Sequence, residues 1–277
     1  MKKTALFWVF LLQSYLFNAQ STAEYTVYYH FISTSDTISN TFFRPQEFML
    51  YQVGQESRFI MDVDYYNDSV RAVFQKEYPQ PVITSSEDIQ KRLTLFRDKV
   101  KTKSGPLNYK ISKNFETGNF ISVYPFSLPT QYLEEPMPSE WEMLPEQDTI
   151  LGFPCLKAAT NYGGRHYFAW FTLEVPINDG PYVFQGLPGL ILKVTDDKGW
   201  YNFVATNIIT KPTNRYWNPE FMNKFSQKID RKTYVAKMLK QKNDPPPIPG
   251  IIDFSEADRL ELKERYAKRF DLLLEQY

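Results

Sequence analysis

Alternation of apolar and polar residues dominates the first half of the chain and predicts β-strands. In residues 25–31 one strand face carries the side chains of Tyr25, Val27, Tyr29 and Phe31. Residues 47–64 form two further runs separated by Gly54, which predicts a hairpin. The pattern in residues 65–74 predicts another strand after an Asn67-Asp68 turn. The chain is therefore expected to open as an antiparallel meander.

Strand patterns resume at residues 108–115 and 118–126, and the clearest hairpin follows at Gly163-Gly164. Two adjacent glycines permit positive φ and so favour a tight turn between strands. In residues 165–173 both alternating sets are apolar, so this strand is predicted to lie inside the sheet with both faces covered. Residues 190–194 and 200–206 predict one more hairpin.

Helical spacing appears in three places. Residues 86–103 have a serine and two acidic residues before an apolar stripe, which predicts an inserted helix. Residues 230–241 predict a helix capped by Asp230. Residues 244–250 are a Pro-rich linker, and residues 255–277 predict an amphipathic helix that docks on the β-domain.

These elements predict a mainly β protein of the α+β type. The expected architecture is a curved antiparallel sheet or partly open barrel, with one inserted helix and C-terminal helices. We expect the β-domain in residues 21–210 and a helical C-terminal extension in residues 211–277.

The N-terminus predicts export. Two lysines precede an apolar run in residues 5–17, and Ala19-Gln20 offers a cleavage zone, so residues 1–20 are predicted to be a signal peptide. This run is too short and wrongly flanked for a membrane span, so we do not expect an integral membrane protein. The expected location is the periplasm or cell envelope.

The most unusual stretch is the Gly- and Pro-rich segment in residues 180–194. Residues 187–190, Leu-Pro-Gly-Leu, fit a type II turn with Gly189 at positive φ. Gly186, Pro188 and Gly189 are therefore predicted to be a structural turn motif.

Three segments carry a resemblance to a known family. They are "ILGFPCLKA" (150–158), "GRHYFAWFTLEVPI" (164–177) and "GPYVFQGLPGLIL" (180–192). Together they resemble the GLPGLI family of the Bacteroidetes phylum, which is named for the hexapeptide at residues 186–191. The resemblance implies an exported, mostly β protein and carries no assigned activity.

Composition narrows the function classes. The chain has 32 basic and 32 acidic residues, so no nucleic-acid partner is expected. The two histidines, the single Cys155 and the absence of known catalytic or metal-binding motifs predict no catalytic residues, metal or cofactor. A hydrolase that pairs Glu174 with Asp179 or Asp196 remains an alternative.

Aromatic residues make up 17% of the chain, which is a high fraction. We expect some of them to line a groove for an apolar or lipid-like ligand, or for a segment of a partner protein. A plain core built from the same rings is the competing interpretation, and an interaction or structural role in the envelope is the alternative function. The predicted binding residues are Arg165, which would hold a head group, and Trp170, Glu174, Tyr182, Phe184 and Leu187.

Overall fold

The computed structural model describes residues 25–36, 41–42, 44–77, 94–95, 99, 110–124, 131–210, 227–243, 256–257, 260 and 264. The first strands are β1 (Thr26–Asp36), β2 (Thr41–Phe42), β3 (Gln46–Val53) and β4 (Glu56–Met61), followed by helix α1 (Asp62–Glu77). Next come β5 (Lys110–Asn114), β6 (Asn119–Tyr124), β7 (Gln131–Pro136), β8 (Glu142–Ile150), β9 (Phe153–Tyr162) and β10 (Arg165–Thr172). The remaining elements are β11 (Leu190–Asp196), β12 (Tyr201–Ile209), β13 (Gln227–Lys228) and helix α2 (Arg231–Asn243).

The described strands form one open, curved sheet. Its order is β13-β7-β6-β5-β4-β3-β1-β12-β11-β10-β9-β8, and β2 pairs with β1 beside this path. Neighbouring strands are antiparallel except β13 and β7, which are parallel. This confirms the predicted fold class.

Aromatic rings fill the inner face of the sheet. Phe48 and Phe59 stack with centroids 4.8 Å apart, and Phe31 stacks on Phe203 at 4.4 Å. The four residues predicted to face inward, Tyr25 just before β1 and Val27, Tyr29 and Phe31 within it, are all buried. Stacked and edge-to-face rings of this kind stabilise a core beyond the area that they bury.

The Gly163-Gly164 hairpin is confirmed. Tyr162 pairs with Arg165 across a two-residue turn, and the glycines have φ of 53° and 74°. Positive φ at both central positions gives the turn the twist that matches its strands. The turn thereby places Arg165 at the start of β10.

Only one face of the strand β10 is fully buried. Its odd-numbered residues are buried, whereas His166, Phe168 and Trp170 are half-buried on the outer face. The Lys157 ammonium lies 4.5 Å from the Phe168 ring centre, and that of Lys193 lies 4.3 Å from Trp170. In the described residues, lysine side chains rather than a second layer shield these rings, so the prediction of cover on both faces is wrong for this one.

The strand predicted in residues 65–74 is wrong, because these residues belong to α1. Asp62 and Asp64 lie in the first helical turn, where negative charge interacts favourably with the helix dipole. The Tyr65 ring packs edge-on against Tyr51 of β3, at 5.5 Å. The tyrosines and valines of this segment favour a strand locally. The acidic residues at the helix start and the contact with β3 stabilise the helix instead.

The C-terminal region is described in part. Helix α2 is confirmed, with Asp230 as its cap: the Thr233 N–H donates to Asp230 Oδ1 at 2.7 Å. Arg231 Nε donates to Glu135 Oε1 of β7 at 2.6 Å, so α2 is tied to the sheet. The predictions for residues 1–20 and 244–250 lie outside the described residues, as do most of those for 86–103 and 255–277.

Candidate functional site

A buried ion pair anchors the loop between β10 and β11, which spans residues 173–189. Lys113 of β5 donates to Asp179 Oδ1, to the Gly180 carbonyl at 2.6 Å and to the Phe184 carbonyl at 3.3 Å. The Tyr25 hydroxyl donates to Asp179 Oδ2 at 2.5 Å, and the Gly180 N–H donates to Oδ1 at 2.7 Å. Each donor of the lysine and each oxygen of the carboxylate therefore has a partner, as buried charges require.

Burial shapes the protonation of this cluster. It lowers the pKa of Lys113, and the adjacent Asp179 carboxylate acts in the opposite direction. Burial also raises the pKa values of Tyr25 and Tyr29 well above the ordinary range of tyrosine, and the charge of Asp179 adds to this effect. The two phenols therefore stay protonated, and that of Tyr25 donates to the carboxylate.

The glycines of the loop serve close packing. A Cβ at Gly189 would lie 2.0 Å from the Thr172 carbonyl oxygen, and a Cβ at Gly180 would lie 2.7 Å from Ile191 Cβ. Gly189 is not in the positive-φ region, so the predicted type II turn is wrong. Gly186 has a φ of 96° and does need the freedom of glycine.

The aromatic residues of the loop lie in the core. Tyr182, Phe184 and Leu187 are each 3% exposed or less. The Phe184 ring lies 4.8 Å from that of Tyr167, and the Tyr182 ring stacks over Phe203 at 6.4 Å. Tyr182 adopts a left-handed backbone with φ of 54°, which is uncommon for a residue with a Cβ. The loop thus covers the inner face of the sheet with its own side chains.

The same loop supports a surface segment before β8. Trp141 Nε1 donates to the Gln185 carbonyl at 2.8 Å, and Gln185 Nε2 donates to the Pro138 carbonyl at 3.2 Å. The Trp141 ring also packs 6.2 Å from that of Phe184. Residues 138–141 are therefore held in place by the buried loop.

A surface cleft of about 480 Å³ opens at the β9–β10 hairpin. It adjoins a second hollow of about 280 Å³, and Asn161 and His166 line both. The larger lobe is lined by Asn161, Gly164, Arg165, His166, Asp197 and Lys198, and the smaller by Glu140, Trp141, Glu142, Ala159, Thr160, Asn161 and His166. We call the two hollows together the hairpin cleft.

A second buried ion pair borders the larger lobe. Arg165 Nη1 lies 3.4 Å from Asp196 Oδ2, and the guanidinium lies 4.8 Å from the Tyr201 ring centre. The Tyr201 N–H donates to Asp196 Oδ1 at 2.9 Å. Burial raises the pKa of Asp196, while that hydrogen bond and Arg165 oppose the rise. The pair fixes the base of the turn between β11 and β12 against β10.

The rim of the cleft carries polar groups held by short contacts. His166 Nδ1 lies 2.9 Å from Asn161 Oδ1, so a proton on that nitrogen donates to the amide oxygen. The Asp197 N–H donates to the His166 carbonyl at 3.0 Å. The Lys198 ammonium lies 4.5 Å from the centre of the Trp200 ring. In the larger lobe Arg165 is paired with Asp196, so the charged side chains left at the rim are Asp197 and Lys198. The smaller lobe holds two glutamates.

The structure separates the six predicted binding residues. Arg165 lines the hairpin cleft, but its side chain is 2% exposed and faces Asp196. Trp170 is half-buried on the outer sheet face, and Glu174 is exposed beyond the end of β10. The other three, Tyr182, Phe184 and Leu187, lie in the core.

Several residues of the site escaped sequence reasoning. Lys113 was not singled out, and Asp179 was considered only as a partner of Glu174. The two meet across 66 residues, a contact that no local pattern predicts. Asn161 and Lys198 look like ordinary turn residues in the sequence. The signal in the sequence was the pair of polar turns that join β9 to β10 and β11 to β12. The pairing of β10 with β11 brings these two turns together.

The arrangement gives little support to catalysis. Asp179 and Asp196 have cationic partners, and Glu174 is exposed to solvent, so the carboxylates proposed for a hydrolase are not paired with each other. Burial raises the pKa of Cys155, which disfavours a reactive thiolate. Among the residues described, no group of three or more His, Cys, Asp or Glu is placed to hold a metal ion. The described helices include none with the length and apolar character needed to cross a membrane.

Part of the chain that includes the anchored loop is similar to a known protein family. Residues 163–193 match the profile of a family described as "Protein of unknown function (Porph_ging)". The match covers the Gly163-Gly164 hairpin, β10, the anchored loop and the first part of β11. It supports the resemblance to an uncharacterised family over this short region and does not carry the GLPGLI name. No curated protein sequence matches the chain.

The chain is also similar in fold to solved structures. PNGF-II in one crystal form superimposes with a TM-score of 0.50 and 14% identity, covering 85% of this chain and 37% of that chain. A second crystal form of PNGF-II gives a TM-score of 0.48 at 14% identity, over 84% of this chain and 36% of that chain. The first likeness concerns the fold alone, and this chain spans little more than a third of the length of PNGF-II.

Proposed function

We propose that the protein is an exported, non-catalytic binding module of the cell envelope, and that the hairpin cleft holds a segment of a partner protein. The observation that carries the proposal is the cleft itself, whose rim presents side chains of both charges above a buried ion pair. Binding sites combine such fixed polar groups with aromatic surface. Trp141, which lines the smaller lobe, supplies that surface.

The side chains around the hairpin cleft are held in fixed positions, which favours the cleft as a binding site. Arg165 is fixed by Asp196, His166 contacts Asn161, and Trp141 is fixed by the loop carbonyl of Gln185. Side chains that are already ordered lose little entropy when a ligand binds. The supporting loop and β10 also lie in the segment that matches the uncharacterised family.

The two occupants expected from sequence differ in support. An apolar ligand would need the inner face of the sheet, where Tyr182 and Phe184 pack against Phe203 and Tyr167. A polar partner segment needs a surface site, and the hairpin cleft provides one. We therefore favour the partner segment and treat acyl binding as an outcome of the test.

The test uses the purified protein and two probes, a display library of random peptides and a fluorescent fatty acid. We expect the library to yield peptides whose binding changes in Lys198→Glu, weaker for acidic peptides and stronger for basic ones, and is reduced in His166→Ala. Glu116→Lys is the control, because Glu116 is an exposed turn residue that lines neither lobe of the cleft. Binding of the fatty acid without any peptide binding, or peptide binding that ignores both cleft variants, would overturn the proposal.

Export is a separate part of the proposal. It rests on the basic and then apolar layout of residues 1–20. N-terminal sequencing of the protein recovered from cell fractions is expected to find a chain that begins near residue 21 outside the cytoplasm. Recovery of an uncleaved chain from the cytoplasm would contradict it.

A further inference from the structure

The strand β8 ends the hydrogen-bonded order of the described sheet. It pairs with β9 on one side, and among the described strands none pairs with its other side. Most of its nine residues are exposed. In an antiparallel strand about half of the backbone N–H and C=O groups face away from the paired neighbour, so β8 presents an edge to which another strand can add.

The charge of this edge is one-sided. Residues 139–152 contain four acidic residues, Glu140, Glu142, Glu146 and Asp148, and no lysine or arginine. Glu146 forms an ion pair with Lys157, and Asp148 forms one with Lys193. The two carboxylate side chains nevertheless remain 56% and 47% exposed. Glu140 and Glu142 line the smaller lobe of the hairpin cleft. A carboxylate row thus runs along the edge and into the cleft.

The same features disfavour pairing with a second copy of this chain. Two β8 strands placed edge to edge would bring carboxylates together, and like charges on paired strands are destabilising. Pro145 lacks a backbone donor, and the register shifts between Leu144 and Gln147. These interruptions hinder any added strand equally, so the case against self-pairing rests on the carboxylates, and an added strand would pair on either side of residues 144–147.

We propose that β8 accepts an extended, basic segment of a partner protein as an added strand. Main-chain hydrogen bonds to the edge would supply affinity, and lysine or arginine side chains facing the carboxylates would supply selectivity. The end of the segment would reach Glu140 and Glu142 in the smaller lobe. This inference rests on the proposed function and specifies the partner segment that it requires.

The experiment measures binding by calorimetric titration with two peptides of equal length, one alternating lysine with threonine and one alternating glutamate with threonine. A third peptide has the lysine sequence with alternate backbone nitrogens methylated, which removes the donors needed for strand pairing. We expect binding of the lysine peptide only. The variants Glu142→Lys and Glu146→Lys are each expected to raise the dissociation constant of the lysine peptide about tenfold. Glu116→Lys, the control, should leave it unchanged.

Each other outcome overturns the inference in a distinct way. Equal binding of the methylated peptide would exclude strand addition, and equal binding of the glutamate peptide would exclude charge selection. Dimerisation that is abolished by the β8 variants would assign the edge to a second copy of the chain. Library peptides that depend on Lys198 and His166 but ignore the β8 variants would leave the proposed function standing and remove this inference alone.

Discussion

Lys113 and Asp179 form an ion pair that the folded chain encloses completely. Their side chains are 0% and 1% exposed, and they join the strand β5 to the loop between β10 and β11. That loop fills the inner face of the sheet and holds Trp141 at the hairpin cleft. The pair therefore connects the stability of the core to the shape of the surface site.

Removing one partner of this pair is expected to be severe. Lys113→Met or Asp179→Asn leaves a buried polar group uncompensated and should lower the free energy of unfolding by about 3–5 kcal/mol. The double variant Lys113→Met with Asp179→Asn should lose less than the sum of the two single losses. Urea unfolding measures all three.

The matched control is Lys228→Met, which removes an ion pair with Glu134 that is largely exposed. It should change the free energy of unfolding by about 1 kcal/mol or less. Strictly additive losses in the Lys113 and Asp179 series would mean that the two residues are not coupled.

Gly189 tests the close packing of the loop. Gly189→Ala should lower the free energy of unfolding by about 3 kcal/mol or more, because the new Cβ would lie 2.0 Å from the Thr172 carbonyl oxygen. Gly199→Ala is the control: its Cβ meets open space, and its φ of 67° costs about 1 kcal/mol. Thermal unfolding compares the two. Equal effects would show that the chain around Thr172 moves to accept the new Cβ, and would contradict the argument from close packing.

The turn between β8 and β9 offers a stabilising change. Leu151 has a φ of 54° and is 45% exposed, next to Gly152 at 83°. Leu151→Asn should raise the free energy of unfolding by about 0.5–1 kcal/mol, because asparagine tolerates the left-handed region better than leucine. Leu173→Asn, at another exposed leucine, should not stabilise the protein. A loss of stability in Leu151→Asn would contradict the argument.

Tyr51 predicts a stability change at alkaline pH. Burial raises its pKa from 10.0 to about 12, against an opposing effect of Arg58. The folded chain then keeps a proton that the unfolded chain has lost, so stability present below pH 10 is lost as the pH rises to about 12. The contribution is roughly 2–3 kcal/mol, at 1.36 kcal/mol for each unit of pKa shift.

The measurement is urea unfolding across that pH range in the wild type and in Tyr51→Phe. Tyr25 and Tyr29, whose pKa is also raised, are present in both proteins. The difference in slope therefore isolates Tyr51. Parallel slopes would show that its phenol has the same pKa in the folded and unfolded chains.

Local pattern revealed much of the fold. The Gly163-Gly164 hairpin, the inward positions of β1 and the Asp230 cap depend on residues close in sequence, and the structure confirms them. Helix α1 was predicted as a strand because its tyrosines and valines favour strands, while contact with β3 decides otherwise.

The site was harder to predict, because its contacts are distant in sequence. Arg165 was predicted as a head-group ligand, yet its partner Asp196 lies 31 residues away and holds the guanidinium inside the protein. Tyr182 and Phe184 were predicted to line a groove, and they pack under β9, β10 and β12 instead. A sequence shows that rings are abundant, whereas only the folded chain shows what they contact.

Hydrogen exchange in the presence of a selected peptide tests the central claim most directly. The account predicts added protection in residues 138–150, 161–166 and 196–200, with no change in residues 179–190. Protection confined to residues 179–190 would contradict it, because a ligand would then be entering the inner face of the sheet by displacing the anchored loop.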